Sequence, residues 1–150
     1  MYSVLALPSD AQLLSSPPPV AAIPRDDVCQ VSPQIAVIDD DEPFRTALVE
    51  SLYSLGYRAR GFASAEEFFA ASGESSCDCV ITDVHMPGMS GLDLQRLLIA
   101  RERRVPVIMI TARGEPGLEA KAAASGAICL LRKPFGADVL IGYLEKALQV

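Results

Sequence analysis

Val80-Ile81-Thr82-Asp83-Val84-His85-Met86-Pro87-Gly88-Met89-Ser90-Gly91 is the stretch on which the fold of this 150-residue chain turns. The short apolar run from Cys79 to Ile81 reads as a buried strand. It ends in an acid, Asp83, followed by two turn-forming pairs, Pro87-Gly88 and Ser90-Gly91. A carboxylate at the carboxyl end of a buried strand, just before a Gly-rich turn, sits where α/β sheets place ligands and chemistry.

Upstream, Ile35-Ala36-Val37-Ile38 is a second apolar run, rich in β-branched residues, and it stops at Asp39-Asp40-Asp41. Pro43 then opens a helix in its first turn, where a missing N–H costs nothing. Phe44, Ala47, Leu48, Leu52 and Leu55 follow at helical spacing, and Gly56 closes that helix. Tyr57 to Phe62 alternates and predicts a strand near a sheet edge. Ser64-Ala65-Glu66-Glu67 predicts a capping box for a second helix, which runs to Gly73. Downstream of the central stretch, Leu92, Leu94, Leu97 and Leu98 mark a helix over 91–100, with Arg101, Arg103 and Arg104 near its carboxyl end, where cations suit the dipole. Val105 to Ile110 is a fourth strand with its proline at the start, and it ends at Thr111. A short Ala-rich helix over 115–124, a fifth strand over 127–131 ending at Lys133-Pro134, and a last helix over 138–148 complete the chain. Strict β/α alternation predicts an α/β fold with one doubly wound, five-stranded parallel sheet covered on both faces.

Residues 1–33 differ. Pro8, the Ser15–Pro19 run, Pro24 and Pro33 interrupt any regular period and predict an extended, disordered arm ahead of a domain over 34–150. Half of the residues are hydrophobic, enough for a core, and the net charge of −6 argues against direct nucleic-acid binding by this chain. No apolar run approaches the roughly 20 residues of a membrane span. The first positive charge is Arg25, so a secretory leader is not expected and a cytoplasmic protein is. Cys29, Cys77, Cys79 and Cys129 lack zinc spacing and read as buried or half-buried thiols.

In a parallel sheet all strand ends of one sense share one edge. Asp39 and Asp40, Asp83, Thr111 and Lys133 therefore converge on one rim. Clustered carboxylates repel, and a divalent cation offsets that repulsion; an oxygen-only ligand set favours Mg2+, Mn2+ or Ca2+ over zinc. An oxygen nucleophile, a metal, and cationic and hydroxyl clamps are the parts of a phosphoryl-transfer site.

At this point the sequence resembles the response-regulator receiver domain of bacterial two-component systems, over about Gln34 to Val150. The likeness rests on Ile38-Asp39-Asp40-Asp41, Thr82–Gly91, Ile110-Thr111-Ala112, Ser125-Gly126-Ala127 and Lys133-Pro134-Phe135, and in style it is similar to receivers that precede LuxR-type output domains. It implies the flavodoxin-like (βα)5 fold. It implies that Asp83 accepts a phosphoryl group from a histidine kinase or phosphotransfer protein. Asp39, Asp40, Asp83 and the backbone carbonyl of His85 would hold Mg2+, while Thr111 and Lys133 bind phosphoryl oxygens and the Lys133–Pro134 bond is cis. His85 and Arg113 would tune the lifetime of the phosphorylated state. The implied protein is a signalling module rather than an enzyme, without an output domain of its own, passing its state to a downstream protein or by relay. Alternatively it is the receiver part of a DNA-binding transcription regulator. A homodimer through the face of the fourth helix, fifth strand and last helix is a further expectation. One residue departs from the pattern: Leu130 stands where these domains usually carry an aromatic switch, so a weaker or different response is expected on that face.

Two other classes fit less well. A flavodoxin-type cofactor binder needs a Ser/Thr/Gly-rich loop after the first strand, where Asp39–Glu42 stands. A metal-dependent phosphatase with Asp83 as nucleophile lacks a general acid two residues on, where His85 stands.

Overall fold

The computed structural model describes residues 32–149. The expected arm therefore lies, save Ser32 and Pro33, outside the described residues, as does Cys29. In chain order the elements are β1 (Gln34–Ile38), α1 (Glu42–Ser54), β2 (Arg58–Phe62), α2 (Ala65–Ala70), a 3-10 turn (Gly73–Ser75), β3 (Cys79–Asp83), α3 (Gly91–Ala100), β4 (Val107–Thr111), α4 (Leu118–Ala124), β5 (Cys129–Arg132) and α5 (Ala137–Leu148).

The five strands form one parallel sheet in the order β2-β1-β3-β4-β5. Central strands buried on both faces need apolar residues at every position, and β3 and β4 are buried throughout. Alternate residues then serve two cores. Ala36, Ile38, Val80 and Met109 point to one, where Phe68 of α2, Leu94 and Leu98 of α3 and Leu118 of α4 cover them. Ile35, Val37, Ile81, Ile108 and Ile110 point to the other, under Leu48 and Leu52 of α1 and Leu140 and Leu144 of α5. Phe68 is fully buried and meets Phe62 and Phe69 edge-on, at 5.4 and 5.1 Å between centroids.

Strand succession reverses between β1 and β3. That switch point opens a crevice at the carboxyl ends of the two strands, and these ends carry Asp39-Asp40 and Asp83.

Several boundaries shift from those expected, for local reasons. Pro106 cannot donate to a ladder, so β4 starts at Val107, though the Pro106 carbonyl still accepts from Val80 N–H at 2.9 Å. Pro116 disfavours helical backbone at Glu115, and Gly117 sits at φ +82°, so α4 starts at Leu118 rather than at residue 115. Gly126, at φ +97°, completes a turn before β5 can begin. At the α2 end Ser64 accepts from Glu67 N–H at 3.0 Å, but the Glu67 carboxylate reaches Ala63 N–H rather than that of Ser64. A full capping box lies instead at α3, between Ser90 and Asp93. Arg101, at the carboxyl end of α3, also pairs through its guanidinium with buried Glu74 and lies 4.8 Å over the Phe69 ring.

Candidate functional site

β1 ends in Asp39, which is fully buried. Its carbonyl accepts from Arg45 Nη1 at 2.7 Å, and its Oδ1 from Asp41 N–H at 2.9 Å. Asp40 beside it is exposed. β3 delivers Asp83, only 7% exposed, with Oδ1 accepting from His85 N–H at 3.2 Å. The loop beyond packs tightly on this strand end. A Cβ at Gly91 would stand 2.6 Å from the Asp83 carbonyl oxygen, so only glycine fits there. Glu66 of α2 pins the same loop by accepting from Met89 N–H at 2.9 Å.

Lys133 arrives from the far side of β5. Its peptide bond to Pro134 is cis, and its N–H donates to the Thr111 carbonyl at 2.8 Å. The ammonium lies 3.9 Å from the centroid of the Phe44 ring, which meets Phe135 edge-on. It pairs more closely with Asp39 than with Asp83. Nζ sits 2.8 Å from Asp39 Oδ2 and 3.8 Å from Asp83 Oδ2. The more deeply buried carboxylate has the greater need of a counter-charge, because it has lost more hydration.

Thr111, next along β4 from the residue paired with Asp83, turns its hydroxyl into its own loop. Oγ1 donates to the Arg113 carbonyl at 2.7 Å and accepts from Arg113 N–H at 3.1 Å. The His85 Nε2 is buried and lies 3.6 Å from Glu115 Oε1, beyond hydrogen-bond length.

Carboxylate oxygens of Asp39, Asp40 and Asp83 all lie within 4.8 Å of one another. Burial, then the charge of Asp39, push the Asp83 carboxyl up to about 6, against the opposing pull of Lys133 and the His85 N–H. One ammonium does not neutralise three carboxylates. The donor set is all oxygen, partly exposed through Asp40, and short of positive charge; these properties suit a hard divalent cation. The thiols are chemically quiet by contrast: burial pushes Cys77 and Cys79 up to about 12 and Cys129 up to about 11. No cluster of ligands containing cysteine occurs among the described residues.

Asp39, Asp40, Asp83 and Lys133 are thus brought together as expected, with Thr111 alongside. Phe44, Arg45, Glu66 and Glu115 were not singled out. Phe44 and Phe135 had a sequence signal, one at a core helical position and the other in the Lys133-Pro134-Phe135 motif. Arg45 and the two glutamates had none: Arg45 turns back from α1 to the Asp39 carbonyl, and Glu66 and Glu115 reach the loop after β3 from other segments.

The family model for the response regulator receiver domain matches residues 35–145. The chain belongs to this family. It is 39% identical over 116 residues to response regulator protein TmoT of Ectopseudomonas mendocina, covering 77% of this chain and 53% of that protein. It is 36% identical over 115 residues to transcriptional regulatory protein FixJ of Bradyrhizobium diazoefficiens, covering 77% and 56%. The chain therefore spans about half the length of these curated relatives. Among solved structures, the crystal structure of FixJ-N superposes with a TM-score of 0.73 at 32% identity, over 80% of this chain and 96% of that one. The receiver is accordingly a phosphorelay signalling domain of flavodoxin-like fold, of the kind that works with histidine kinases and output domains. Among the described residues no helix is long and apolar enough to cross a membrane.

Proposed function

We propose that Asp83 is the phosphoryl acceptor of this receiver, that Asp39, Asp40, Asp83 and the His85 carbonyl hold Mg2+, and that Lys133 and Thr111 receive the phosphoryl oxygens. The observation that carries the reading is the convergence of three carboxylates within 4.8 Å, with Lys133 3.8 Å from Asp83. In the reaction an Asp83 carboxylate oxygen forms a bond to phosphorus as the donor's phosphorus–nitrogen bond breaks. The imidazole of the donor histidine leaves with the electron pair and takes up a proton. A bound Mg2+ supplies charge neutralisation for the entering oxygens. Arg45 and Asp41 hold Asp39 in place, Gly91 lets the loop close against Asp83, and the Phe44 ring keeps the Lys133 ammonium over the crevice. Positioning and charge stabilisation are most of what such a transfer needs.

The Thr111 hydroxyl must leave its bond to the Arg113 carbonyl before it can meet a phosphoryl oxygen. That rearrangement is the local trigger in this reading. The module assists its own phosphorylation and hydrolysis and turns over no external substrate. It acts in the cytoplasm, as residues 34–150, on a partner or as a homodimer through the α4-β5-α5 face. A second reading is favoured by the relatives: FixJ is a transcriptional regulatory protein, and this chain would then be the receiver part of a DNA-binding regulator. The reading frame beyond Val150 separates the two. The test of the site is intact mass after acetyl phosphate and Mg2+. Wild type gains one hydroxylamine-labile phosphoryl group, and Asp83→Asn gains none. Equal labelling of both proteins would refute the assignment.

A further inference from the structure

The opposite rim of the sheet carries a second built feature. A groove of about 700 Å³ opens at the amino ends of β4 and β5, between the carboxyl ends of α3, α4 and α5. Its floor includes Gln95, 6% exposed, whose Nε2 donates to the Ser125 carbonyl at 3.0 Å. The Gln95 Oε1 is buried and accepts no hydrogen bond. A buried acceptor without a donor is costly, and native proteins leave few of them. The wall holds Ile99, 58% exposed, one of the large apolar side chains that face solvent. Arg103, Arg104 and Lys146 line the same groove, against one acid, Glu102. Among the described residues neither Arg104 nor Lys146 pairs with a carboxylate. This excess of cations stands on a chain of net charge −6.

We propose that this groove docks an acidic peptide segment of a partner protein, with an apolar side chain against Ile99 and carboxylates on Arg104 and Lys146. Charge complementarity selects the occupant. Arg104 and Lys146 in an open groove, with Arg103 beside them donating to Ser75 Oγ at 3.4 Å, suit a few carboxylates beside one apolar anchor, whereas a nucleic-acid footprint calls for a longer basic stripe. The groove lies at the far end of the strands from Asp83, so it does not depend on phosphoryl acceptance, and either assignment can fail alone.

The probe is a fluorescein-labelled Glu-Glu-Leu-Glu-Glu peptide, with a Lys-Lys-Leu-Lys-Lys peptide and a short DNA duplex as controls. Anisotropy gives affinity, and amide chemical shifts give the location on the 150-residue chain. The acidic peptide is expected to shift the amides of Gln95, Ile99 and Gly126. The double variant Arg104→Glu/Lys146→Glu should weaken it by about tenfold or more. Arg96→Glu, elsewhere on α3 and already paired with Asp93, should leave affinity unchanged. Thermal unfolding and Asp83 labelling confirm that each variant is folded. The proposal is overturned by no binding at millimolar peptide, by equal binding of the basic peptide, by undiminished affinity in the double variant, or by shifts gathered at the Asp83 rim. Tighter binding of the duplex, lost in the double variant, overturns it as well.

Discussion

The two halves of the carboxyl rim are built to different standards. On the β1/β3 side, Asp39 is tied by Arg45, Asp41 and Lys133, Asp83 by His85, and the following loop by Glu66. On the β4/β5 side, Thr111 bonds to its own loop and half-buried Leu130 borders a cavity of about 310 Å³ shared with Leu118, Glu115 and Arg132. The first half is held rigidly where phosphoryl chemistry needs preorganised charge. The second has room to move and has no aromatic ring to carry the movement. Conserving chemistry and transmitting its outcome are therefore separable tasks in this domain, and substitutions on each side should fail in different ways.

The largest effect belongs to the rigid half. Lys133→Ala removes the ammonium facing both Asp39 and Asp83. The rate of Asp83 labelling by acetyl phosphate should fall by about 10²–10³, the range for losing one preorganised charge-stabilising group. Asp39 is also left buried without its cation, at a cost of about 3–5 kcal/mol in the metal-free protein. Urea unfolding in EDTA checks the second number. An unchanged midpoint would mean that Asp39 and Lys133 do not depend on each other as their 2.8 Å separation implies.

A smaller effect of opposite sign is expected at Asp83. Its carboxyl is raised from 3.8 to about 6 by burial and by Asp39. Between those values the folded protein keeps a proton that the unfolded chain has lost. The contribution of this group to stability is thus fully present below pH 3.8 and is lost as pH rises through about 6. At pH 7 in EDTA, Asp83→Asn should stabilise the fold by on the order of 1–3 kcal/mol. The gain should vanish toward pH 4. Mg2+ should narrow the gap by stabilising wild type and not the variant. Calorimetric unfolding at the two pH values, with and without Mg2+, reads all three; a destabilised Asp83→Asn at pH 7 would contradict the electrostatic picture.

The unequal halves also explain what was legible in the sequence. Strand and helix positions followed from apolar runs and helical spacing because both faces of the sheet are buried, and such a sheet leaves little freedom in pattern. Asp39, Asp40, Asp83, Thr111 and Lys133 were legible because parallel strands place all their carboxyl ends on one edge. The nearer partner of Lys133 was not, since Asp39 and Asp83 follow paired residues of neighbouring strands and differ only slightly in burial. The start of α4 was misplaced because a run of helix formers outweighed Pro116 and Gly117 in the reading. The closed Thr111–Arg113 turn, the grip of Glu66 on the loop after β3 and the reach of Glu115 toward His85 are contacts made by loops, and loop contacts leave no period in a sequence.

A modest effect tests the link between the halves at the His85–Glu115 approach. The ring and the carboxylate come within 3.6 Å, one from the loop after β3 and one from the loop after β4. Both groups are partly exposed, so the pair contributes little to stability, within about 0–1 kcal/mol. Glu115→Gln should accordingly leave the unfolding midpoint almost unchanged. It should alter the hydrolysis rate of phosphorylated Asp83, because it loosens His85, whose backbone N–H binds the acceptor carboxylate. Loss of label followed by intact mass measures this; identical decay in both proteins would show that the two loops act independently.

Leu130→Tyr sharpens the comparison most, because it tests transmission rather than stability. Leu130 borders the cavity of about 310 Å³, so the larger ring should cost no more than about 1–3 kcal/mol. What should change is transmission. In wild type, beryllofluoride with Mg2+ is expected to alter amide exchange at the rim loops but only weakly along α4, β5 and α5. With tyrosine, an inward swing of the ring becomes available as the Thr111 hydroxyl leaves the Arg113 carbonyl, and protection on that face should change more. If wild type already shows a large ordered change there, leucine transmits the signal as well as a ring, and the looseness of the β4/β5 side has no functional consequence. If neither protein responds while Asp83 is still labelled, the output of this domain leaves by another surface.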